Sequence, residues 1–246
     1  MDLVELRAFL ARRFSPEGRV GLYFTVGFVV SAVLAVLFGL LADEIFEVAK
    51  KPQPLDLAIG GALAGLRSPA VTRIMRALTF LGSAPFILAL TTLVIILLLV
   101  ERHMISALLF AGSVVGGFGL ESTLKIVFGR ARPDLWPALV TENTYSFPSG
   151  HATMSTVLFG GVAAVVFHLS RRRAPLRAIR TGTLLVCLFL VVGVAVSRIY
   201  LGAHWASDTA AGVMVGLFWV TFYATGTEYF ARAPRRRAPR AAAGST

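Results

Sequence analysis

Charged residues are scarce in this chain of 246 residues: only 15% are Asp, Glu, Lys or Arg, whereas 56% are hydrophobic. A soluble domain of this length does not need so much apolar sequence, and here it comes in long uninterrupted runs. Cysteine is almost absent, since Cys187 is the single one and lies inside an apolar run. The composition therefore excludes a disulfide framework and an ordinary soluble domain, and it predicts a polytopic membrane protein.

Acidic residues are the scarcer of the two charged classes, because 24 Lys and Arg stand against 13 Asp and Glu, giving a formal net charge of +11. The basic residues cluster at the ends of the apolar runs. This placement indicates membrane topology and contacts with anionic lipid headgroups. We therefore expect membrane lipids as partners and no nucleic acid, and the sequence leaves the oligomeric state open.

Six apolar segments are candidates to cross a bilayer. They cover residues 20–42, 84–100, 104–128, 151–170, 181–197 and 204–227. Between the first two, residues 43–83 are interrupted by charges and by Pro52, Pro54 and Pro69, so we expect one or two short interfacial helices there, or a re-entrant hairpin. The predicted fold class is all-α, a six-transmembrane-helix bundle with short interfacial helices.

Both ends of the chain are basic, and we place the membrane domain between them at residues 20–228. Residues 1–19 mix arginines with apolar positions, a pattern typical of an amphipathic segment on the membrane surface. Residues 229–246 are rich in Ala, Pro and Arg, which predicts a disordered basic tail.

An even number of spans puts both termini on one side of the membrane. Lys and Arg are more numerous in the segments on the side of the termini than on the other side. This bias predicts cytoplasmic termini in an inner (plasma) membrane, and it places the polar motifs described next on the outer, periplasmic side.

The first motif combines Lys125 and Arg132, with Pro133 directly after it. Two cations at the membrane surface either bind an anion or extend toward lipid headgroups. Glu121 stands one helical turn before Lys125, where it is either an orienting partner of the lysine or an ordinary helix-surface pair.

The second motif places Ser149, Gly150 and His151 after Pro148, at the start of the fourth predicted span. Serine is a natural N-cap, and glycine lets backbone N–H groups come close to a ligand. A helix N-terminus with a serine hydroxyl can hold an anion, and His151 would then stand beside it.

The third motif places Arg198, Gly202, His204 and Asp208 between two spans, where apolar residues would otherwise be expected. His204 and Asp208 are four positions apart, which on a helix puts them on one face within side-chain reach. A carboxylate bonded to one imidazole nitrogen fixes the tautomer and leaves the other nitrogen free to attack, and Arg198 can hold an oxyanion nearby. The pattern is typical of phosphoryl transfer with a histidine nucleophile.

Together, these spacings resemble the three signature motifs of the phosphatidic acid phosphatase type 2 superfamily, and of its bacterial membrane lipid phosphatase branch. Every signature position is filled, in the right order, within a resemblance that covers roughly residues 55–228. It implies a hydrolase that removes phosphate from a lipid-linked phosphate or diphosphate through a phosphohistidine intermediate. It also implies that no metal and no cofactor is required.

The resemblance further implies a role for each residue of the site. His204, aligned by Asp208, attacks phosphorus, and His151 protonates the leaving oxygen and then activates water. The phosphate oxygens are bound by Lys125, Arg132, Ser149, Gly150 and Arg198.

The sequence leaves the substrate and several alternatives open. Undecaprenyl diphosphate, phosphatidylglycerol phosphate and phosphatidic acid are all candidate substrates, among which we favour an isoprenoid diphosphate, and Trp136 and Phe147 are candidate interfacial contacts. One alternative function is a phosphotransferase of the same superfamily that uses a lipid or sugar acceptor. Another is a catalytically silent lipid-phosphate transporter or binding protein. A metallohydrolase with His204 and Asp208 as ligands is disfavoured, because few further ligands fall on that face.

Overall fold

The computed structural model describes residues 19–47, 52–170 and 176–232, together with Glu5. Within the three ranges the chain forms helices and no strand. The helices are α1 (Arg19–Glu47), α2 (Pro54–Gly65), α3 (Pro69–Phe80), α4 (Ala84–Val100), α5 (Met104–Phe128), α6 (Gly150–Ser170), α7 (Arg177–Tyr200) and α8 (Ala206–Arg232). The predicted all-α fold class is confirmed.

Five of these helices are long and apolar enough to cross a membrane, namely α5, α6, α7, the Thr25–Ile45 part of α1 and the Ala206–Gly226 part of α8. Helices α3 and α4 meet the same criterion as a pair that is bent by 49°, so the number reaches six if the pair forms one span. The spans predicted at 84–100 and 104–128 coincide with α4 and α5. The protein is therefore a helical membrane bundle, as the sequence predicted.

Several predicted boundaries shift. Helix α1 continues to Glu47, and the rest of the region up to residue 83 contains the two short helices α2 and α3. Helix α7 ends at Tyr200, so Arg198 lies in its last turn, whereas α8 begins only at Ala206. The predicted N-terminal amphipathic segment and the predicted tail lie outside the described residues, except for Glu5, Arg19 and the end of α8.

Helix α6 is the centre of the bundle. In its span 56% of the residues are buried, against 17–28% in the other four single-helix spans, and it packs against α5, α7 and α8. Gly212 and Gly216 let α8 approach it closely, since a Cβ added at Gly212 would lie 2.6 Å from the Ser149 carbonyl oxygen. The small-residue spacing in α8 thus serves helix packing, as expected in a membrane.

The outer helices carry large apolar side chains on their exposed faces, for example Leu88, Ile105, Val115, Ile126 and Phe189. A contiguous apolar surface of this kind would be costly in water but is the natural surface of a protein that faces lipid tails. The exposed faces therefore agree with the membrane assignment.

One end of the bundle collects the polar motifs. Helices α5 and α7 end there, α6 and α8 begin there, and residues 129–149, the 129–149 loop, cross over it. Phe147 of this loop is completely buried and packs on Phe38 and Phe128, with ring centroids 5.7 and 5.0 Å away. The aromatic contacts anchor the loop to α1 and α5 and so hold the second motif in place.

Candidate active site

The structure brings all the predicted site residues to the same end of the bundle. Lys125 lies in the last turn of α5 and Arg198 in the last turn of α7, while Asp208 lies in the first turn of α8. Arg132 belongs to the 129–149 loop. Gly150 and His151 are the first residues of α6. Ser149 directly precedes α6, and His204 lies in the turn before α8.

His204 lies in the turn before α8, where its ring is held on both sides. Arg132 Nη1 lies 3.1 Å from His204 Nε2, and Ser146 Oγ lies 3.3 Å from its Nδ1. A guanidinium can only donate, so Nε2 accepts with its lone pair and Nδ1 carries the proton. The hydrogen-bond network thus assigns the tautomer in which Nδ1 carries the proton and Nε2 carries the lone pair.

Asp208 reaches His204 although the two do not share a helix face. Its Oδ2 lies 3.6 Å from His204 Nδ1 and accepts hydrogen bonds from Ser146 Oγ at 2.5 Å and from the Trp205 backbone N–H at 2.9 Å. The bond from Trp205 holds the carboxylate at the start of α8, where a negative charge is favourable. Ser146 therefore links the imidazole to the carboxylate.

The charge state of His204 follows from its surroundings. Its side chain is almost completely buried, and this burial, together with the nearby Arg198 and Arg132 charges, lowers the pKa of His204 to about 4, although Asp208 opposes the shift. At neutral pH the imidazole is uncharged and Nε2 keeps its lone pair, which in this structure accepts the hydrogen bond from Arg132.

Lys125 and Arg132 both hold the 129–149 loop by its backbone. Lys125 Nζ donates to the Tyr145 carbonyl at 2.7 Å and pairs with Glu121 at 3.5 Å. Arg132 donates to the carbonyls of Thr144 at 2.8 Å and Ala203 at 2.7 Å. Burial lowers the pKa of Arg132, with Glu142 opposing the shift, but an arginine keeps its charge throughout the working pH range.

Glu142 of the same loop joins two of the predicted phosphate-binding arginines. Its carboxylate forms a short ion pair with Arg198 and lies 3.9 Å from Arg132. Burial alone would raise the pKa of Glu142, but the Arg198 guanidinium, with smaller contributions from His151 and Arg132, holds this pKa below its usual value. An anionic carboxylate thus already occupies the cationic site.

Ser149 and Gly150 lie at the start of α6, the first just before the helix and the second as its first residue. The Ser149 side chain is completely buried, and its hydroxyl has no hydrogen-bond partner among the described residues, so it does not cap the helix as expected. A Cβ at Gly150 would lie 2.5 Å from Glu121 Oε1, so a larger residue there would have to displace the Glu121 carboxylate. A buried hydroxyl without a partner beside a helix N-terminus is suited to binding an anion.

His151 follows in the first turn of α6. It lies in electrostatic range of Arg198, Glu142, His204 and Lys125, which puts its side chain at the same site as the other motif residues. Arg198, in turn, is fixed by a hydrogen bond from Nη1 to Thr79 Oγ1 at 2.8 Å. The two histidines predicted to share the chemistry therefore share one cluster of cations.

Four residues that the sequence did not single out support the site: Ser146, Glu142, Arg130 and Asp56. Ser146 and Glu142 lie in the loop between the first two motifs, and no spacing rule marks them. Asp56 could have been found from the sequence, because a charged residue within the apolar helix α2 is unfavourable unless it pairs with another group. Arg130 stands only two positions before Arg132. This nearness to a motif residue does not reveal that the Arg130 side chain pairs with Asp208 and Asp56.

Arg130 and Asp56 lie behind Asp208. Arg130 Nη1 donates to Asp208 Oδ1 at 2.6 Å and Arg130 Nη2 donates to Asp56 Oδ2 at 3.0 Å. Both Arg130 and Asp56 are 1% exposed. The arrangement forms a buried chain of alternating charges that ends at the carboxylate facing His204.

The surroundings favour an oxyanion over a metal cation. Three basic side chains, those of Lys125, Arg132 and Arg198, converge on the site, and among the described residues no group of three or more His, Cys, Asp or Glu side chains is arranged to hold a metal. Chemically, the cluster can bind an oxyanion in a dry environment and present a neutral imidazole to its central atom.

Comparisons with known proteins agree with this arrangement. The family model of the PAP2 superfamily matches residues 102–232, which contain all three motifs. Phosphatidylglycerophosphatase B of Bacillus subtilis (strain 168) is 30% identical to this chain over 184 residues, which are 75% of this chain and 88% of that protein.

Two solved structures share the architecture. The crystal structure of the first transmembrane PAP2 type phosphatidylglycerolphosphate phosphatase from Bacillus subtilis matches with a TM-score of 0.71 and 26% identity, covering 83% of this chain and 98% of that one. The crystal structure of Aquifex aeolicus LpxE matches with a TM-score of 0.54 and 20% identity, over 70% of this chain and 95% of that one, which is a likeness of fold alone.

Proposed function

The chain belongs to the PAP2 superfamily and is a multi-span membrane lipid phosphatase, and from this premise we propose a metal-independent reaction through a phosphohistidine on His204. One observation carries the proposal: Nε2 of a neutral, buried His204 faces Arg132, while Nδ1 faces Ser146 and Asp208. Ser146 and Asp208, on the Nδ1 side, thus orient the ring so that Nε2 faces the cations that would hold the phosphate.

In the first step, the Nε2 lone pair attacks phosphorus and the bond from phosphorus to the lipid oxygen breaks. The ring becomes positively charged as the bond to Nε2 forms, and the Asp208 carboxylate stabilises that charge from the Nδ1 side. His151 gives its proton to the leaving lipid oxygen. In the second step, His151 takes a proton from water, whose oxygen attacks phosphorus, and the bond to His204 breaks to release inorganic phosphate.

The phosphate oxygens need compensation for the charge that spreads over them during transfer. We assign this role to the side chains of Lys125, Arg132 and Arg198, to the unpartnered Ser149 hydroxyl and to the Gly150 amide. A low-dielectric site makes each of these contacts worth more than it would be in water. Most of the rate enhancement is expected to come from this group.

For the substrate we propose phosphatidylglycerol phosphate as the first candidate. The names of both Bacillus subtilis relatives specify phosphatidylglycerophosphate, and this outweighs the preference for an isoprenoid diphosphate drawn from the sequence. Undecaprenyl diphosphate and phosphatidic acid are the other candidates. The apolar exterior beside the site lets any of these lipids approach from the bilayer.

The test is phosphate release by purified protein in detergent, with excess chelator and with each of the three lipids in turn. We expect turnover in chelator, highest kcat/KM on phosphatidylglycerol phosphate, and none in His204→Asn. His103→Asn is the matched control, because His103 is exposed in the turn between α4 and α5 at the opposite end of the bundle.

Each contrary result identifies a different error. Turnover by His204→Asn contradicts the nucleophile assignment. Activity that disappears in chelator and returns with a divalent metal favours the metallohydrolase instead. Binding of lipid phosphate without turnover favours a silent binding protein, and transfer of labelled phosphate to a lipid or sugar favours the phosphotransferase.

A further inference from the structure

The carboxylate that faces the nucleophile is held from behind by a buried arginine. Arg130 donates to Oδ1 of Asp208 at 2.6 Å, while Oδ2 of the same carboxylate faces His204. Its guanidinium also lies over the ring of Trp205, 5.8 Å from the centroid, and donates to Ser207 Oγ at 2.8 Å. The arginine therefore determines which oxygen of Asp208 remains for the imidazole.

Asp56 fixes the arginine in turn. It comes from α2, 74 positions before Arg130 in the sequence, and accepts from Arg130 Nη2 at 3.0 Å. It also accepts the Ser207 backbone N–H and hydroxyl, each at 2.8 Å. Because Ser207 directly precedes Asp208, Asp56 holds both the arginine and the first turn of α8.

The charges in this chain alternate, with one guanidinium between two carboxylates, and all three side chains are at most 1% exposed. A buried charge that loses its partner is strongly unfavourable, so each member keeps its neighbour ionised and in place. The net charge of the three groups is negative, which suits a site that must stabilise a positive charge on His204.

We propose that Arg130 and Asp56 are positioning residues for the phosphatase reaction. They orient Asp208 so that His204 keeps Nδ1 toward the carboxylate and Nε2 toward phosphorus. The inference rests on the proposed role of His204 as the nucleophile. Arg130 thus differs from Arg132, two positions later, which contacts Nε2 and is assigned to the phosphate.

A purely structural role, in which the ion pair only docks α2 on α8, predicts a different outcome. Loss of docking lowers stability and, if the site loosens, weakens substrate binding as well. Loss of positioning lowers kcat while leaving KM and the affinity for phosphate unchanged, because the interaction matters only when charge develops on His204.

The experiment compares Arg130→Lys and Asp56→Asn with the wild type in detergent, below the melting temperature of each variant. Arg130→Lys keeps the charge, but a single ammonium cannot span two carboxylates as the planar fork does. Asp56→Asn keeps the shape and removes the charge, and it is an independent variant should Arg130→Lys not fold. The readouts are kcat, KM for phosphatidylglycerol phosphate and the inhibition constant of inorganic phosphate.

We expect kcat to fall about 10- to 100-fold in each variant, the loss typical of outer-shell residues that orient the ligands of a metal site. KM and the phosphate inhibition constant should stay within about twofold of the wild type. Arg177→Lys is the matched arginine control, since Arg177 is exposed at the start of α7, at the opposite end of the bundle from the site. Asp134→Asn, at an exposed position of the 129–149 loop, is the matched carboxylate control. Both controls are expected to keep the wild-type kcat.

Wild-type kcat in folded Arg130→Lys and Asp56→Asn would overturn the inference, and so would a fall in kcat matched by a rise in KM and in the phosphate inhibition constant. These results would leave the proposed function intact if the wild type is active and His204→Asn is not. A wild-type protein without phosphatase activity would instead overturn the proposed function, and the positioning role with it.

Discussion

We expect the charge of Glu142 to compete directly with a bound phosphate. Its carboxylate pairs with Arg198 and lies 3.9 Å from Arg132, the two arginines that we assign to the phosphate oxygens. A carboxylate and a phosphate cannot both have the full attraction of the same guanidinium groups. We therefore expect Glu142 to weaken or release these pairs when a substrate binds.

Replacing Glu142 by Gln should tighten phosphate binding. The carboxylate is 25% exposed, so its competition amounts to roughly 1 kcal/mol, the upper range for a solvent-accessible ion pair, and its loss lowers the inhibition constant of inorganic phosphate about fivefold. Glu101→Gln is the control, because Glu101 is exposed at the opposite end of the bundle. An unchanged or higher inhibition constant in Glu142→Gln would show that Glu142 does not compete for the phosphate site.

At the same scale, the sequence predicts the residues with motif spacing and misses those that depend on distant contacts. Lys125, His151 and Arg198 were expected at one site, and the structure brings them there. Ser146 and Asp56 reach Asp208 or its neighbour across 62 and 151 positions of sequence, and no periodicity encodes such distances. The Ser149 hydroxyl was expected to cap α6, and it lacks any described partner instead.

At the scale of elements, the turn between α7 and α8 determines where His204 lies. Gly202 adopts a φ of +74°, a left-handed conformation that side chains disfavour, and its amide donates to the Ile199 carbonyl. Because of this turn, α8 begins only at Ala206. His204 therefore lies outside the helix, with its Nε2 3.1 Å from Arg132 Nη1. The glycine therefore helps to position His204, which we propose as the nucleophile.

Gly202→Ala should lower both stability and turnover. A Cβ there is strained by the positive φ and would lie 3.0 Å from Arg67 Nη2, which together correspond to a cost of about 1–3 kcal/mol. Thermal unfolding in detergent and kcat report the two effects. Gly182→Ala in α7, where an added Cβ meets nothing within 4 Å, should be neutral or stabilising, and equal behaviour of the two variants would contradict this role for the turn.

Element boundaries are predictable where charge or proline interrupts an apolar run. The charged turn at Glu101–His103 separates α4 from α5, and both helices begin and end as expected. Hydrophobicity continues without such a signal from residue 204 onward, so the sequence places His204 on a helix. The spacing of four positions nevertheless predicted the contact between His204 and Asp208, because the first turn of α8 places the Asp208 carboxylate 3.6 Å from the imidazole.

At the scale of the whole molecule, the distribution of Lys and Arg predicts which side of the membrane carries the site. The motifs converge at one end of the bundle, and the turn between α4 and α5 lies at the other. Cytoplasmic termini, an outer active site and a membrane domain at residues 20–228 stay predictions of this topology.

Cysteine labelling in intact cells tests the topology. Cys187 is the single cysteine and is buried, so exposed replacements can be labelled selectively. We expect Thr141→Cys, in the 129–149 loop, to react with a membrane-impermeant maleimide from outside. His103→Cys, in the turn between α4 and α5, should react only after permeabilisation, and the reverse pattern would invert the predicted orientation.

The central claim is that His204 becomes covalently bound to phosphorus during turnover. Its most direct test is rapid quenching of the enzyme with ³²P-labelled phosphatidylglycerol phosphate, followed by analysis of the protein-bound label. We predict label that is labile in acid, stable in alkali, located on His204 and absent from His204→Asn. Full turnover in the wild type with no protein-bound label at any quench time, or the same label in His204→Asn, would contradict the account.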